Sequence, residues 1–263
     1  QQTRVEVVVP YFEAFIKRFP SIEVLANAQE EEVLSYWAGL GYYKRSRLLL
    51  KAARVIQSEM DGVLPCDSAT LRRLPGIGDY TAAAIASISF QEQIPVVDGN
   101  VCRVAARFLG LKSPLGSSAL RGQARDWGET LHAGVSAGSA GQLNEGLMEL
   151  GATVCRPRAP LCGTCPISEK CVALAANQVA EIPKKAKRMD WKEVHLLYGV
   201  ASCPSGVLLE ARKSGWNQGL WEPPSVPYDQ KEEPDSAWRE FQPQRGELGE
   251  MMGSARHTIT RHC

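Results

Sequence analysis

The sequence predicts a mainly α-helical first domain followed by a smaller α+β second domain. Three observations carry this. Apolar residues recur at helical spacing through residues 1–154, with almost no period-two alternation. Four cysteines then crowd together as Cys155-x6-Cys162-x2-Cys165-x5-Cys171. Beyond a charged connector the pattern becomes β-like. At 263 residues the chain has room for one to two domains.

Each element has its own signal. Val5, Val8, Val9, Phe12, Phe15, Ile16 and Phe19 recur at helical spacing, and Pro20 ends that helix. Residues 30–38 form a second helix, stopped by Gly39 and Gly41. Residues 43–60 form a third, with Leu48, Leu49, Ala52, Val55 and Ile56 inward and Gly62 closing it. Asp67 or Ser68 caps a short helix ending at Leu74. Helices follow over 80–89, 101–109 and 120–132. Residues 134–141 read as a small-residue loop, and 143–152 lead into the cysteines.

The first domain is placed at 1–177, a linker at 178–190 and the second domain at 191–263. The stretch Pro183-Lys-Lys-Ala-Lys-Arg188 has the composition of a solvated linker. Apolar runs at 195–201 and 206–211, split by Cys203-Pro-Ser-Gly206, read as a hairpin. Residues 227–250 are polar and irregular, and 257–261 read as a further strand. The second domain is expected to be incomplete, since about 70 residues is small for a mixed domain.

Composition excludes several classes. With 44% apolar and 22% charged residues, the chain is neither disordered, collagen-like nor a coiled coil. No run approaches the roughly 20 apolar residues of a membrane span, and no leader is visible. Net charge is +1. Residues 1–190 carry 22 Lys and Arg against 19 Asp and Glu, a mild excess that suits a polyanion.

Of the eight cysteines, Cys66, Cys102, Cys203 and Cys263 stand alone. A disulfide framework would spread its cysteines through the fold, whereas one compact loop of four indicates a metal site in a reducing compartment. Four thiolates suit Zn²⁺ or a [4Fe–4S] cluster. A structural zinc site usually pairs two CxxC-type hooks, and only Cys162 and Cys165 form one. The wider outer spacings favour the larger cluster.

Three motifs carry chemistry. In Leu74-Pro-Gly-Ile-Gly78, two glycines between helices bring backbone N–H groups near a phosphate, and the next helix adds its positive N-terminal end. Val97-Asp-Gly-Asn-Val101 sets Asp98 just before a helix, 20 residues after Gly78. Gly39-Leu-Gly-Tyr-Tyr43 sets Leu40 and two tyrosines on an interhelical turn, suited to wedging into a base stack.

Together with Gln1-Gln-Thr3, Glu149-Leu-Gly-Ala152 and the four cysteines, these motifs resemble the helix-hairpin-helix DNA glycosylases with an iron–sulfur loop, the endonuclease III superfamily. Within it they match the MutY branch of adenine DNA glycosylases, over residues 1–175. The bifunctional relatives carry a Schiff-base lysine where this chain has Tyr80, and Thr-His where it has Gly99-Asn100. Both differences fit a monofunctional enzyme.

The resemblance implies removal of adenine opposite 8-oxoguanine or guanine in double-stranded DNA, by a monomer bearing a [4Fe–4S] cluster on Cys155, Cys162, Cys165 and Cys171. Asp98 would stabilise the sugar cation, with Tyr80 and Asn100 orienting it. Gln2, Leu40 and Tyr42 would fill the vacated stack, and Gly76 and Gly78 would hold phosphate. The cluster would be structural, presenting Arg156 and Arg158 to DNA. The family's general acid is a Glu four residues before the Gln-Gln pair, upstream of Gln1. The expectation is therefore a chain shortened at both ends and impaired in catalysis, since a proton donor is worth about 10²–10⁴-fold.

Gly219-Leu-Trp-Glu-Pro223 and His257-Thr-Ile-Thr260-Arg261-His262 resemble landmarks of the family's Nudix-like domain, which recognises 8-oxoguanine; Thr260 falls at the contacting position. The glutamates of a Nudix hydrolase are missing, so this reads as a recognition module. The alternatives are an endonuclease III-like or thymine-mismatch glycosylase, or a non-catalytic iron–sulfur DNA-binding protein. The expected location is cytoplasmic and nucleoid-associated in a bacterium, nuclear or mitochondrial in a eukaryote.

Overall fold

The computed structural model describes residues 5–136, 138–185, 194–213 and 218–228, with 236, 238, 239, 253 and 254. It divides into two compact units, 1–188 and 189–263.

The first unit is helical. Helix α1, Val5–Arg18, packs through Phe15, which stacks against Phe19 and sits edge-on to Trp37. The rest of its apolar stripe stays outside, with Val5 76% and Phe12 61% exposed. Helical spacing identified the helix but not the side it buries. A short helix that periodicity missed follows, α2 (Ile22–Ala26), capped by Ser21 Oγ accepting the Val24 N–H at 3.2 Å. Five residues are too few for a periodic signal.

Helices α3 (Glu30–Trp37) and α4 (Lys44–Glu59) match the expected spans within a residue. Helix α4 serves two cores. Leu50 and Ala53 pack with Phe19, Leu25 and Val33, while Ala52 and Ile56 pack with Leu71, Leu74, Ala82 and Ala86. Between the expected candidates, Asp67 is the cap of α5 (Ser68–Leu71), accepting the Thr70 N–H at 2.8 Å. That bond lowers the Asp67 pKa from its ordinary value. The Glu92 carboxylate accepts from the Ser68 N–H at 2.6 Å and from its hydroxyl at 2.8 Å.

Helix α6 (Asp79–Phe90) ends at Gln91, whose φ is +60°. Helix α7 (Gly99–Leu109) is the axis of this unit: every side chain from Val101 to Arg107 is buried. It packs against α8, Ser118–Ala133. Helix α9, Ala140–Glu149, begins inside the segment read as a loop and continues as a π-helical turn, Leu150–Val154. A short α10, Val172–Ala175, follows the cysteine loop.

The linker reading is corrected for residues 178–185. Ile182 is 4% exposed and packs with Cys102, Ala105 and Leu120. The Leu115 N–H donates to the Lys184 carbonyl at 2.9 Å. Polar composition identified an exposed strap, but its one isoleucine and its carbonyls anchor it to the helices.

In the second unit the described residues form three antiparallel pairs. Strand β1 (Leu196–Tyr198) pairs with β6 (Ser225–Pro227), β2 (Ser202–Cys203) with β3 (Gly206–Val207), and β4 (Glu210–Ala211) with β5 (Trp221–Glu222). The expected hairpin is present as β2–β3, but the run 206–211 is two strands with separate partners. Gly199 is required where it stands, since a Cβ there would run into the Trp238 ring. Gln2 and the 257–262 loop with Thr260 lie outside the described residues.

One buried side chain sets the strand-like segment that enters α7. Asn144, 1% exposed, accepts the Val96 N–H at 2.9 Å and donates to the Ile94 carbonyl at 2.9 Å. Asn144→Ala leaves both backbone groups unpaired, each worth about 1–3 kcal/mol. A lowered denaturation midpoint at unchanged m-value is the expected result, read by urea titration.

Candidate active site and cysteine cavity

Asp98 is the N-cap of α7, in extended backbone. Its Oδ1 accepts the Val101 N–H at 2.7 Å, as a capping carboxylate does. Its Oδ2 accepts from Asn100 Nδ2 at 3.3 Å. Asn100 is held in turn, because its Oδ1 accepts from Arg103 Nη2 at 2.8 Å. Arg103 is 5% exposed and also donates to the Gly151 carbonyl at 2.7 Å and the Cys155 carbonyl at 2.8 Å. Burial lowers the pKa of Arg103, and the nearby Cys155 opposes that.

A cavity of about 890 Å³ opens over this cap. Asp98, Gly99 and Asn100 form one wall, and Glu145, Gly146, Met148, Glu149 and Ala152 form another. Tyr80 lines it from the second residue of α6, with its hydroxyl 3.3 Å from Met148 Sδ. The three residues singled out as catalytic, Asp98, Tyr80 and Asn100, therefore share one cavity, and no lysine is among its lining residues. The volume lies within the range of small-molecule sites.

The sequence reading singled out the motif Glu149-Leu-Gly-Ala152 but gave its residues no role in the site, and it missed Glu145 and Arg103. Glu145 and Glu149 stand one turn apart on α9, and only the helix brings their carboxylates to this wall. Gly151 packs so closely on Asn100 that a Cβ would sit 2.7 Å from the Asn100 Cβ. Arg103 and Arg107 sat inside an apolar helix pattern; two arginines one turn apart in such a stretch were the signal.

The hairpin glycines differ in role. Gly76 has φ +80°, and a Cβ there would lie 2.7 Å from Leu48 Cβ, so both conformation and packing require it. Gly78 caps α6 in extended backbone, with nothing within 4 Å of where its Cβ would point. Its missing side chain leaves open space outside the helix N-terminus. On the other turn, Gly39 and Gly41 have φ of +95° and +73°, and Tyr42 φ +51°. Tyr42 is 40% exposed, while Leu40 is half-buried. Trp37 Nε1 clamps the turn by donating to the Gly41 carbonyl at 3.0 Å.

Cys155, Cys162, Cys165 and Cys171 line a second, apolar cavity with Val154, Leu161 and Leu174. Burial pushes the Cys162 thiol up, and the neighbouring Cys155 and Cys171 push it further. Yet among the described residues no three side chains are grouped tightly enough to hold one metal ion. Four thiols thus line one void.

Arg103→Met removes the donor from two buried carbonyls and from Asn100. The expected cost is about 3 kcal/mol of stability, measured by chemical denaturation.

A family model of the HhH-GPD superfamily base excision DNA repair proteins matches residues 1–127. The adenine DNA glycosylase of Arabidopsis thaliana is 37% identical over 273 residues, 91% of this chain and 42% of that protein. The human adenine DNA glycosylase is 34% identical over 280 residues, 89% of this chain and 51% of that protein. The chain spans about half the length of these curated relatives. Among solved structures, a thermostable thymine-DNA glycosylase superposes with TM-score 0.59 at 27% identity, over 67% of this chain and 80% of that one. A non-covalent endonuclease III–DNA complex superposes with TM-score 0.55 at 21% identity, over 67% of this chain and 79% of that one, a likeness of fold. Residues 1–127, with the helical hairpin and the capping Asp98 in that order, thus match the HhH-GPD superfamily of base excision DNA repair proteins, and the cysteine loop follows them.

Proposed function

We propose that this chain is a monofunctional DNA glycosylase that releases adenine mispaired with 8-oxoguanine or guanine. The observation that carries the reading is Asp98, fixed at a helix N-terminus on the wall of a cavity that has Tyr80 where a lyase has its lysine. Likeness to adenine DNA glycosylases along about nine-tenths of the chain supports the choice of base.

The chemistry follows from the site. Adenine must leave the stack to enter the cavity. As the glycosidic bond breaks, positive charge develops at C1′, and the Asp98 carboxylate stabilises it. Asn100 and the Val101 N–H hold that carboxylate from behind. Water adds to C1′, its proton is lost, and adenine leaves with a proton on its ring nitrogen. No Schiff base forms, because no amine is among the lining residues. Glu145 and Glu149 face the same space and can hold or accept a proton there.

The DNA contacts are part of the same proposal. Leu40 and Tyr42, on a turn held by three positive-φ residues, and Gln2 fill the gap left by the flipped base. Gly76 and Gly78 bring the N-terminus of α6 to a backbone phosphate. The second unit reads 8-oxoguanine through the segment around Thr260. A [4Fe–4S] cluster on the four cysteines supplies structural cross-linking, holding the loop that carries Arg156 and Arg158. The chain acts as a monomer in a reducing compartment.

The solved thymine-DNA glycosylase likeness favours one competing reading, release of thymine from a T:G pair. The test is single-turnover base release from duplexes carrying A opposite 8-oxoguanine, A opposite G, and T opposite G, with strands probed before and after alkali. The expected result is slow adenine release, about 10²–10⁴-fold below a chain that carries the family's upstream Glu, with breaks only after alkali. Thymine release, or breaks without alkali, overturns the proposal. Asp98→Asn is expected to slow adenine release by about 10²–10⁴-fold, with duplex affinity retained.

A further inference from the structure

Arg107 is 4% exposed, one turn beyond Arg103 on α7. Among the described residues no carboxylate is paired with it. A buried guanidinium without a counter-charge is costly. Its surroundings show what compensates it. Nη1 donates to the Arg156 carbonyl at 2.8 Å and lies 3.4 Å from Cys155 Sγ. Nε donates to the Val179 carbonyl at 3.1 Å and the Ile182 carbonyl at 3.0 Å. The backbone carbonyl of Arg107 lies 3.4 Å from Cys171 Sγ. One residue thus touches the first and last cysteines of the loop and the strap that closes over it.

We infer that Arg107 is the positioning residue and counter-ion of the iron–sulfur site, donating to the Cys155 sulfur and tying the 179–182 strap across the cavity. This rests on the cluster reading proposed above. Four neutral thiols would leave the Arg107 charge uncompensated, whereas four thiolates around a [4Fe–4S]²⁺ core carry a net charge of −2. The carbonyl contacts give a second consequence. They hold the strap to the loop, so Arg107 also restrains escape of iron.

The charge has a defined effect on redox poise. When the cluster loses one electron to an electrode, its net charge goes from −2 to −1 and no atom leaves. A fixed positive charge at the sulfur favours the more negative, reduced form. Loss of that charge therefore shifts the midpoint to a more negative value.

The experiment uses the full chain and its Arg107→Gln and Arg107→Lys variants. Iron and zinc per chain, visible absorbance, release of iron to a chelator, and the midpoint by protein-film voltammetry are measured. For Arg107→Gln the oxidation equilibrium should move about tenfold, about 59 mV for a one-electron couple. Iron loss should quicken by about tenfold. For Arg107→Lys, which keeps the charge but not the fork, the midpoint should stay near the parent while iron loss still quickens. An iron-loaded Arg107→Gln with the parent midpoint overturns the counter-ion role. If Arg107→Gln does not fold, Arg107→Lys decides: iron retention equal to the parent overturns the inference. A parent chain that binds zinc and no iron overturns the cluster reading itself, an outcome distinct from the others.

Discussion

The site depends on one buried guanidinium. Arg103 reaches from the middle of α7 to the carbonyls of Gly151 and Cys155 and to the Asn100 side chain, and Asn100 touches Asp98. A planar fork suits this role, because it satisfies several acceptors in fixed directions at once. The carbonyls it meets lie at a π-helical turn and just beyond it, where the ordinary helical ladder is interrupted. The cysteine loop and the capping carboxylate are therefore two ends of one hydrogen-bonded chain.

Helix α7 can host this chain because it is buried along most of its length. Small residues, Ala105 and Ala106, let α8 and α10 pack close, and the two arginines project where carbonyls wait. The N-terminus of the same helix faces the cavity with Asp98 as its cap. Capping needs, and the proposed chemistry would use, a carboxylate held in extended backbone before the first turn. Asn144 extends the support backwards by pairing the backbone of the segment leading to Asp98. The nearby His132 presents Nε2 at 3.3 Å from the same Asn144 oxygen.

The two glycine turns owe their shapes to different physics. The turn at Gly39 to Tyr42 stores left-handed backbone at three residues and is held by Trp37. The hairpin at Gly76 needs glycine for lack of space beside Leu48, and Gly78 leaves an open approach to α6. Both turns sit between helices, which fixes where their exposed groups stand.

Much of this was legible in the residues. Period 3.6 identified most helices of the first unit, the pair Asp67 and Ser68 announced a cap without choosing between them, and the cysteine spacing announced a shared site. Asp98, Asn100 and Tyr80 were legible as a set through ordered motifs. Other features needed tertiary structure, because they depend on contacts between residues far apart in sequence. Arg103 and Arg107 find their acceptors about 50 to 75 residues away, and no local pattern encodes that. The wall carrying Glu145 and Glu149 faces Asp98 only because α9 packs on α6 and α7. The 178–185 strap reads as linker by composition, yet three carbonyls and one isoleucine anchor it. Sequence by itself determined the elements, the order of motifs and the chemistry of each residue. Packing decided which polar groups lost water, and hence which of them had to find one another.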